Sequence, residues 1–308
     1  MNGFSNILYF ADAELGSTPA LERAIALAER HNARLTLMDV VDRLAPIASL
    51  KQQLNHDINE IVQQFQVQAL NKLVSGIEPL RYPVQVKVNS GWGFIEVIRE
   101  VMSGTYDLLI KSAHNGCERR LSSGDMHLLR KCPCPVWIDR SSTTTAYRSI
   151  LAAVDPTSEH HDDCADRVLE LAAMVANNDG AQLGLVHAWQ LAGESMLRDG
   201  LLEFENAQLE SLLEQQRSSQ AQAVESLLKQ HQLSSGDVEV HLQKGPASQV
   251  INQVREQVGA DLVVMGTVGR TGLPGFIIGN TAEDVLQQSC CSVLAVKPSG
   301  FVSPVEPR

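Results

Sequence analysis

One strand–helix pattern occurs twice in the chain, and this duplication restricts the folds that are open to it. Residues 7–12 and 150–155 are both short apolar runs that end in aspartate, and each is followed by an amphipathic segment. The other predicted elements follow in the same order in both copies: helices at 18–32, 50–75, 163–177 and 201–232, and strands at 34–40, 84–88, 107–110, 135–138, 182–189, 238–242, 261–264 and 292–296. Strands that alternate with helices and are apolar throughout form parallel sheets covered on both faces. The pattern therefore predicts an α/β fold.

The length of 308 residues accommodates two domains of ordinary size. A short polar segment, Ser-Ser-Thr-Thr-Thr-Ala at residues 141–146, separates the two copies and is typical of a linker. We therefore predict two tandem doubly wound domains, 1–140 and 147–308, each with its own five-stranded parallel sheet.

The fourth predicted strand of the second copy runs directly into a glycine-rich loop. Five glycines lie between this strand and a helix that is predicted to begin at Asn280 or Thr281: Gly266, Gly269, Gly272, Gly275 and Gly279. Glycine lets backbone N–H groups approach an anion closely, and a helix start adds unpaired N–H donors. The loop has neither the G-x-x-x-x-G-K-[ST] nor the G-x-G-x-x-G arrangement. It predicts a phosphate site of another type, with a glycine-rich surface turn as the alternative.

The glycine spacing G-x-x-G-x9-G, read from Gly266, Gly269 and Gly279, resembles that of the ATP-binding members of the universal stress protein family. The resemblance covers the whole chain because the chain is a duplication, and it corresponds to the tandem, two-domain form of the family. Asn280 stands where the family usually has serine, and an asparagine can also donate to phosphate and cap a helix. The resemblance implies a cytoplasmic stress-response protein that binds ATP, with Mg²⁺, and acts as a sensor or regulator.

The resemblance also implies which residues bind the nucleotide. The carboxylate of Asp155 would accept hydrogen bonds from the ribose hydroxyls, the backbone at Ala188 would contact adenine, and the glycine loop would hold the phosphates. Without the resemblance, Asp155 is equally well explained as a turn or capping residue, and Arg270 as a solvated loop residue. The full implied set is Ala153, Val154, Asp155, Ala188, Met265, Gly266, Gly269, Arg270, Gly279, Asn280 and Thr281.

The first copy lacks the glycine loop. Ser112, Asn115 and Ser122 occupy the positions of the three spaced glycines, and the loop is three residues shorter. Side chains at these positions would obstruct a close approach of the backbone to a triphosphate. We therefore predict one nucleotide per chain, in the second domain, and a structural or regulatory role for the first.

Composition and net charge limit the kinds of partner and the cellular compartment that we expect for this chain. A net charge of −11 argues against nucleic acid, and no apolar run is long enough to span a membrane. The N-terminus lacks a secretory signal, and the six cysteines show no disulfide spacing, which favours a reducing cytoplasm. The segment from His160 to Cys164 contains metal-ligand residue types, but we interpret it as a solvated loop before a helix, with no metal site.

Several alternatives remain open at this level. No Walker-type lysine or water-activating base is evident, so the chain is at most a slow ATPase and no catalytic residue is assigned. A nucleotide-free scaffold is favoured by the lost first loop and by Asn280, and the apolar residues of the 201–232 helix could line a groove for an apolar ligand. The family's fifth strands pair across a dimer axis, so the resemblance implies that strands 135–138 and 292–296 pair within the chain. Homodimerisation stays a further hypothesis.

Overall fold

The computed structural model describes residues 3–14, 16–42, 58–113, 121–141, 146–157, 163–198, 206–234, 236–268 and 279–308. The strands are β1 (Asn6–Phe10), β2 (Arg34–Val41), β3 (Gln85–Ser90), β4 (Leu108–Ser112), β5 (Val136–Asp139), β6 (Ser149–Ala153), β7 (Gln182–Trp189), β8 (Glu239–Lys244), β9 (Leu262–Gly266) and β10 (Ser292–Val296). The helices are α1 (Pro19–His31), α2 (Ile58–Ser75), α3 (Gly93–Gly104), α4 (Ser123–Lys131), α5 (Cys164–Asp179), α6 (Glu194–Arg198), α7 (Asn206–Gln230), α8 (Ala247–Val258) and α9 (Asn280–Gln288).

The strand order is the same in the two halves of the chain. The sheet runs β3-β2-β1-β4-β5-β10-β9-β6-β7-β8, so each half has its first strand in the middle, between its second and fourth strands. All neighbours within a half are parallel, and the strands at the junction, β5 and β10, are antiparallel. The α/β class and the two five-stranded parallel units are confirmed.

The strands form one continuous sheet, which corrects the expectation of two separate sheets. The reason is the β5–β10 pairing, in which Ile138 lies opposite Val293 and Val136 opposite Ala295. Each fifth strand would otherwise leave a row of unpaired backbone groups at an edge, and pairing them satisfies both rows. The limits of the domains at 140 and 147 stay a prediction.

Local sequence explains where the first helix begins and ends. The hydroxyl of Thr18 accepts a hydrogen bond from the N–H of Leu21, and Pro19 follows at the first helical position, where its missing N–H costs nothing. Asn32 ends the helix in the left-handed conformation, with φ 54°. The predicted helix at 201–232 is observed as α7, and its first five residues lie outside the described part of the chain.

Each face of the sheet carries one apolar core that continues from one half into the other. The core on one face is covered by α1, α2, α5 and α7, and the core on the other by α3, α4, α8 and α9. The strands contribute to both, which explains why they are apolar at consecutive positions and not at alternate ones. Among the described residues, no helix is both long enough and apolar enough to cross a bilayer.

A buried ion network fastens the halves together beside the junction. Arg23 on α1 is only 3% exposed, and its Nε donates to Asp139 Oδ2 at the end of β5 over 2.9 Å. Its Nη1 donates to Asp179 Oδ2 at the end of α5 over 3.3 Å, so one guanidinium joins both halves. The same guanidinium lies 3.8 Å from the ring centre of Tyr147, just before β6.

We expect Arg23→Met to destabilise the protein by about 3 kcal/mol, because it leaves two buried carboxylates without their cation. The matched control is Arg30→Met, on the same helix, which removes an exposed hydrogen bond from Nη1 to the carbonyl of Asn178 and should cost less than about 1 kcal/mol. Urea unfolding measures both free energies. Equal losses in the two variants would contradict the role given to Arg23.

Candidate functional site

Three neighbouring strands of the second half bring the predicted residues to one edge of the sheet. Ala153 on β6 lies opposite Met265 on β9 and opposite Val186 on β7. Asp155, Ala188 and Gly266 therefore lie within a few residues of the carboxyl ends of three adjacent parallel strands. The strand order reverses between β6 and β9, and open α/β sheets bind ligands outside the carboxyl ends of the strands at such a point.

The glycine loop leaves β9 and returns to the start of α9 through a closed base. The N–H of Gly279 donates to the carbonyl of Thr267 over 3.1 Å, and the N–H of Thr267 donates to the carbonyl of Val296 over 3.2 Å. Of the predicted loop residues, Gly269 and Arg270 lie outside the described part of the chain. The base nevertheless fixes where the loop begins and ends.

The helix that follows the loop starts without a side-chain cap. Gly279 is the residue before the first turn of α9, and no side chain there accepts from the N–H groups of the first turn. Asn280 and Thr281 form the beginning of the helix and are exposed. The first N–H groups of a helix have no partner inside the helix, so this start can donate to an anion.

Gly266 has a packing reason to be glycine. A Cβ added to Gly266 would lie 2.6 Å from the Sγ of Cys164, far inside van der Waals contact. Cys164 is the first residue of α5, which crosses the sheet at this edge. The glycine thus lets the start of α5 approach the end of β9, a reason that the spacing of the glycines does not reveal.

A buried polar network, which the sequence analysis did not identify, fixes the end of β6 next to Asp155. His187 Nδ1 donates to the carbonyl of Val154 over 3.0 Å, and its Nε2 lies 2.7 Å from Oε1 of Gln220 on α7. The hydroxyl of Thr157 lies within hydrogen-bond distance of both Gln220 Oε1 (3.2 Å) and Asp155 Oδ1 (3.1 Å). A histidine inside an apolar strand was the available signal for this network, whereas a glutamine on a long polar helix gave none.

The corresponding edge of the first half is occupied by the chain's own charged groups. Lys111, at the end of β4 and 1% exposed, donates to Asp125 Oδ1 over 2.6 Å and also to Asp12, the counterpart of Asp155. Burial would lower the pKa of Lys111, but the two carboxylates raise it overall, so the lysine is held as a cation. The helix start is occupied too, because Ser122 and Asp125 form a capping box at α4.

In the second half, other residue types stand at the positions that make these self-contacts. Met265 stands in the place of Lys111, Gly279 in the place of Ser122, and Ala282 in the place of Asp125. The aspartate at the end of the first strand is present in both halves. The lysine contact and the capping box of the first half therefore have no counterpart at these positions of the second half, where Asp155 lies within hydrogen-bond distance of Thr157 and the residue before α9 is a glycine.

The structure describes only part of the His160–Cys164 segment, together with the cysteines of the first half at 132 and 134. Residues 158–162 lie outside the described part, while Asp163 Oδ1 accepts a hydrogen bond from the N–H of Ser299 over 2.7 Å. In the described ranges, no three His, Cys, Asp or Glu side chains converge as a metal site would require. Cys132 and Cys134 are buried thiols with their sulfur atoms 3.6 Å apart.

Comparison with known proteins agrees with the duplicated architecture. The model described as the universal stress protein family matches residues 3–140 and again residues 146–297. The chain belongs to the universal stress protein family. It is 29% identical to universal stress protein E of Salmonella typhi, over 98% of this chain and 97% of that protein. It is 28% identical to the universal stress protein E homologue of Haemophilus influenzae, over 96% and 98%.

Solved structures show the same tandem fold. A functionally unknown protein of Pseudomonas aeruginosa PAO1 superposes with a TM-score of 0.71 at 24% identity, over 97% of this chain and 95% of that one. A universal stress protein from Archaeoglobus fulgidus superposes with a TM-score of 0.65 at 18% identity, over 95% and 98%. At these low sequence identities, the similarity shows that the folds are alike.

We expect Gly266→Ala to destabilise the protein by about 1–3 kcal/mol, because the new methyl group overlaps the sulfur of Cys164. The double variant Gly266→Ala/Cys164→Ala removes the overlap and should be no less stable than Cys164→Ala alone. Urea unfolding of the three variants measures this coupling. Simple additivity of the two single effects would show that Cys164 does not explain the glycine.

Proposed function

We propose that the second half binds an adenine nucleotide, ATP with Mg²⁺, and that the protein acts as a nucleotide-dependent sensor or regulator in the cytoplasm. One observation carries this proposal, namely the difference between the two equivalent edges of the sheet. In the first half, Lys111 and the capping box occupy Asp12 and the start of α4. In the second half, the start of α9 has no side-chain cap and lies at the same edge as Asp155.

The residues at this edge fit the parts of a nucleotide. Asp155 is half-buried at the end of β6 and can accept from ribose hydroxyls, while the uncapped start of α9 can donate to phosphate. The backbone at Ala188, one residue beyond the anchored His187, is available for the adenine edge. When bound, ATP would supply the anionic phosphates to which these groups can donate. Gly269 and Arg270 complete the proposed loop.

A slow ATPase is the second candidate function. Phosphoryl transfer to water requires a residue that orients the attacking water, and the proposed site has been assigned none. The proposed site offers backbone N–H groups, which bind ground state and transition state about equally well and so give affinity without rate. We therefore place ATP binding ahead of turnover.

The scaffold and apolar-carrier alternatives are weaker. The apolar residues of α7 that could line a groove, Leu209 and Leu213, are buried against Trp189 in a small cluster of their own. Side chains that are already buried in this cluster are not available to an apolar ligand. A nucleotide-free scaffold remains the outcome that a negative binding experiment would favour.

We expect one ATP per chain in a calorimetric titration. Asp155→Ala should weaken ATP binding about 10- to 100-fold, because a carboxylate that accepts ribose hydroxyls contributes about 1.5–3 kcal/mol. Asp12→Ala is the matched control in the first half and should leave the affinity unchanged. Gly269→Val should abolish binding by filling the space that the phosphates need. Two equivalent sites, or equal losses in the two aspartate variants, would refute the assignment.

We also expect phosphate release far below ordinary enzyme rates of about 1 s⁻¹ under single-turnover conditions. The measurement uses excess protein over labelled ATP, with Asp155→Ala as the binding-deficient control. Release at about 1 s⁻¹ or faster by the unmodified protein, lost in the control together with binding, would identify the protein as an ATPase.

A further inference from the structure

A lysine lies buried under the base of the glycine loop, and the site as described so far does not use it. Lys297 follows β10 directly and is 2% exposed. Its ammonium donates to the carbonyl of Leu129 over 2.7 Å and to the hydroxyl of Thr267. Lysines are almost never fully buried unless they are paired with a carboxylate. Within the described ranges, no carboxylate forms an ion pair with Lys297, so its charge is met only by neutral oxygen atoms and by the ring of Phe301.

Thr267 is the residue through which Lys297 reaches the loop. The backbone of Thr267 closes the loop base, because its carbonyl accepts from Gly279 and its N–H donates to Val296. Its hydroxyl also lies 3.3 Å from the carbonyl of Leu129. Lysine, threonine and carbonyl therefore form a bridge that fixes both ends of the loop of the second half to α4 of the first half.

The electrostatic situation of this ammonium favours an anion nearby. Burial lowers the pKa of Lys297 to about 8, while the neighbouring thiols of Cys132 and Cys164 act in the opposite direction. The side chain is still mainly charged at pH 7. Because water does not screen a buried charge effectively, phosphate groups bound at the start of α9 would gain more from this cation than from an exposed one.

The first half has an equivalent cation with a different position relative to the sites. Arg140 follows β5 as Lys297 follows β10, and its Nη1 donates to the carbonyl of Ser289 over 2.6 Å. Ser289 lies just beyond the carboxyl end of α9, whereas the proposed phosphate site lies at the opposite end of that helix. Arg140 thus stabilises the seam between the halves without contacting the loop base, which makes it a matched control.

We propose that Lys297 is a positioning residue of the phosphate site, which holds the loop base through Thr267 and supplies the buried positive charge for a polyphosphate. This inference rests on the proposed nucleotide binding and deepens it. It identifies the triphosphate as the part of the ligand that the second half selects, and it makes that selection depend on α4 of the first half.

The test compares ATP with adenosine, which lacks the phosphates. Calorimetry at pH 7 measures both ligands against the unmodified protein, Lys297→Met and Arg140→Met. We expect Lys297→Met to weaken ATP binding about tenfold or more and adenosine binding less than about threefold, because the variant removes a buried positive charge that attracts the phosphates, which adenosine lacks. Arg140→Met should leave both affinities unchanged, although it lowers the melting temperature.

The other possible outcomes distinguish a failure of this inference from a failure of the proposed function. No ATP binding by the unmodified protein would overturn the proposed function and this inference with it. Normal ATP binding by Lys297→Met, or equal losses for ATP and adenosine, would overturn the inference alone. If Lys297→Met does not fold, Thr267→Val keeps the side-chain shape and removes the hydroxyl of the bridge. That variant should also weaken ATP binding selectively, and unchanged ATP affinity in it would overturn the inference.

Discussion

The antiparallel pairing of β5 with β10 is the interaction on which the rest of the structure depends. It converts two five-stranded units into one sheet, and the apolar cores on both faces therefore continue across the junction. Arg23 then lies in the interior of the molecule, where Asp139 and Asp179 compensate its charge. Without the strand pairing, this arginine and both carboxylates would face water and contribute little to stability.

After the duplication, the two equivalent edges of the sheet came to carry different polar and charged side chains. In the first half, Lys111 donates to both Asp12 and Asp125, and Asp125 also caps α4, so each group already has a partner. A ligand would have to displace a buried ion pair there, and breaking such a pair is costly. In the second half, Met265, Gly279 and Ala282 stand at the positions of Lys111, Ser122 and Asp125, so these positions can form neither the ion pair nor the capping box. The asymmetry thus comes from a few side chains on one shared backbone plan.

Hydrogen bonds beside the junction also connect residues of the two halves. Lys297 and Arg140 each leave a fifth strand and donate to a carbonyl near the carboxyl end of a helix in the other half, where a helix favours cations. Only Lys297 touches the base of a glycine loop as well. Equivalent cations therefore stabilise the junction from both halves, but only Lys297 also contacts the candidate ligand site.

The sequence by itself determined the α/β class, the two copies and the strand positions, because buried parallel strands and amphipathic helices leave periodic patterns that depend only on neighbours along the chain. It also indicated the glycine loop, the helix start at Asn280 and Asp155 at the end of a strand. The pairing of the two fifth strands was implied only by the family resemblance, and the tertiary structure alone decided that Cys164 requires Gly266 and that Lys111 and Lys297 are buried. Contacts between residues that are distant along the chain leave no local pattern, and a lysine in or beside an apolar strand looks the same in the sequence whether its partner is a carboxylate, a carbonyl or water. Only the packed fold brings the partner to it.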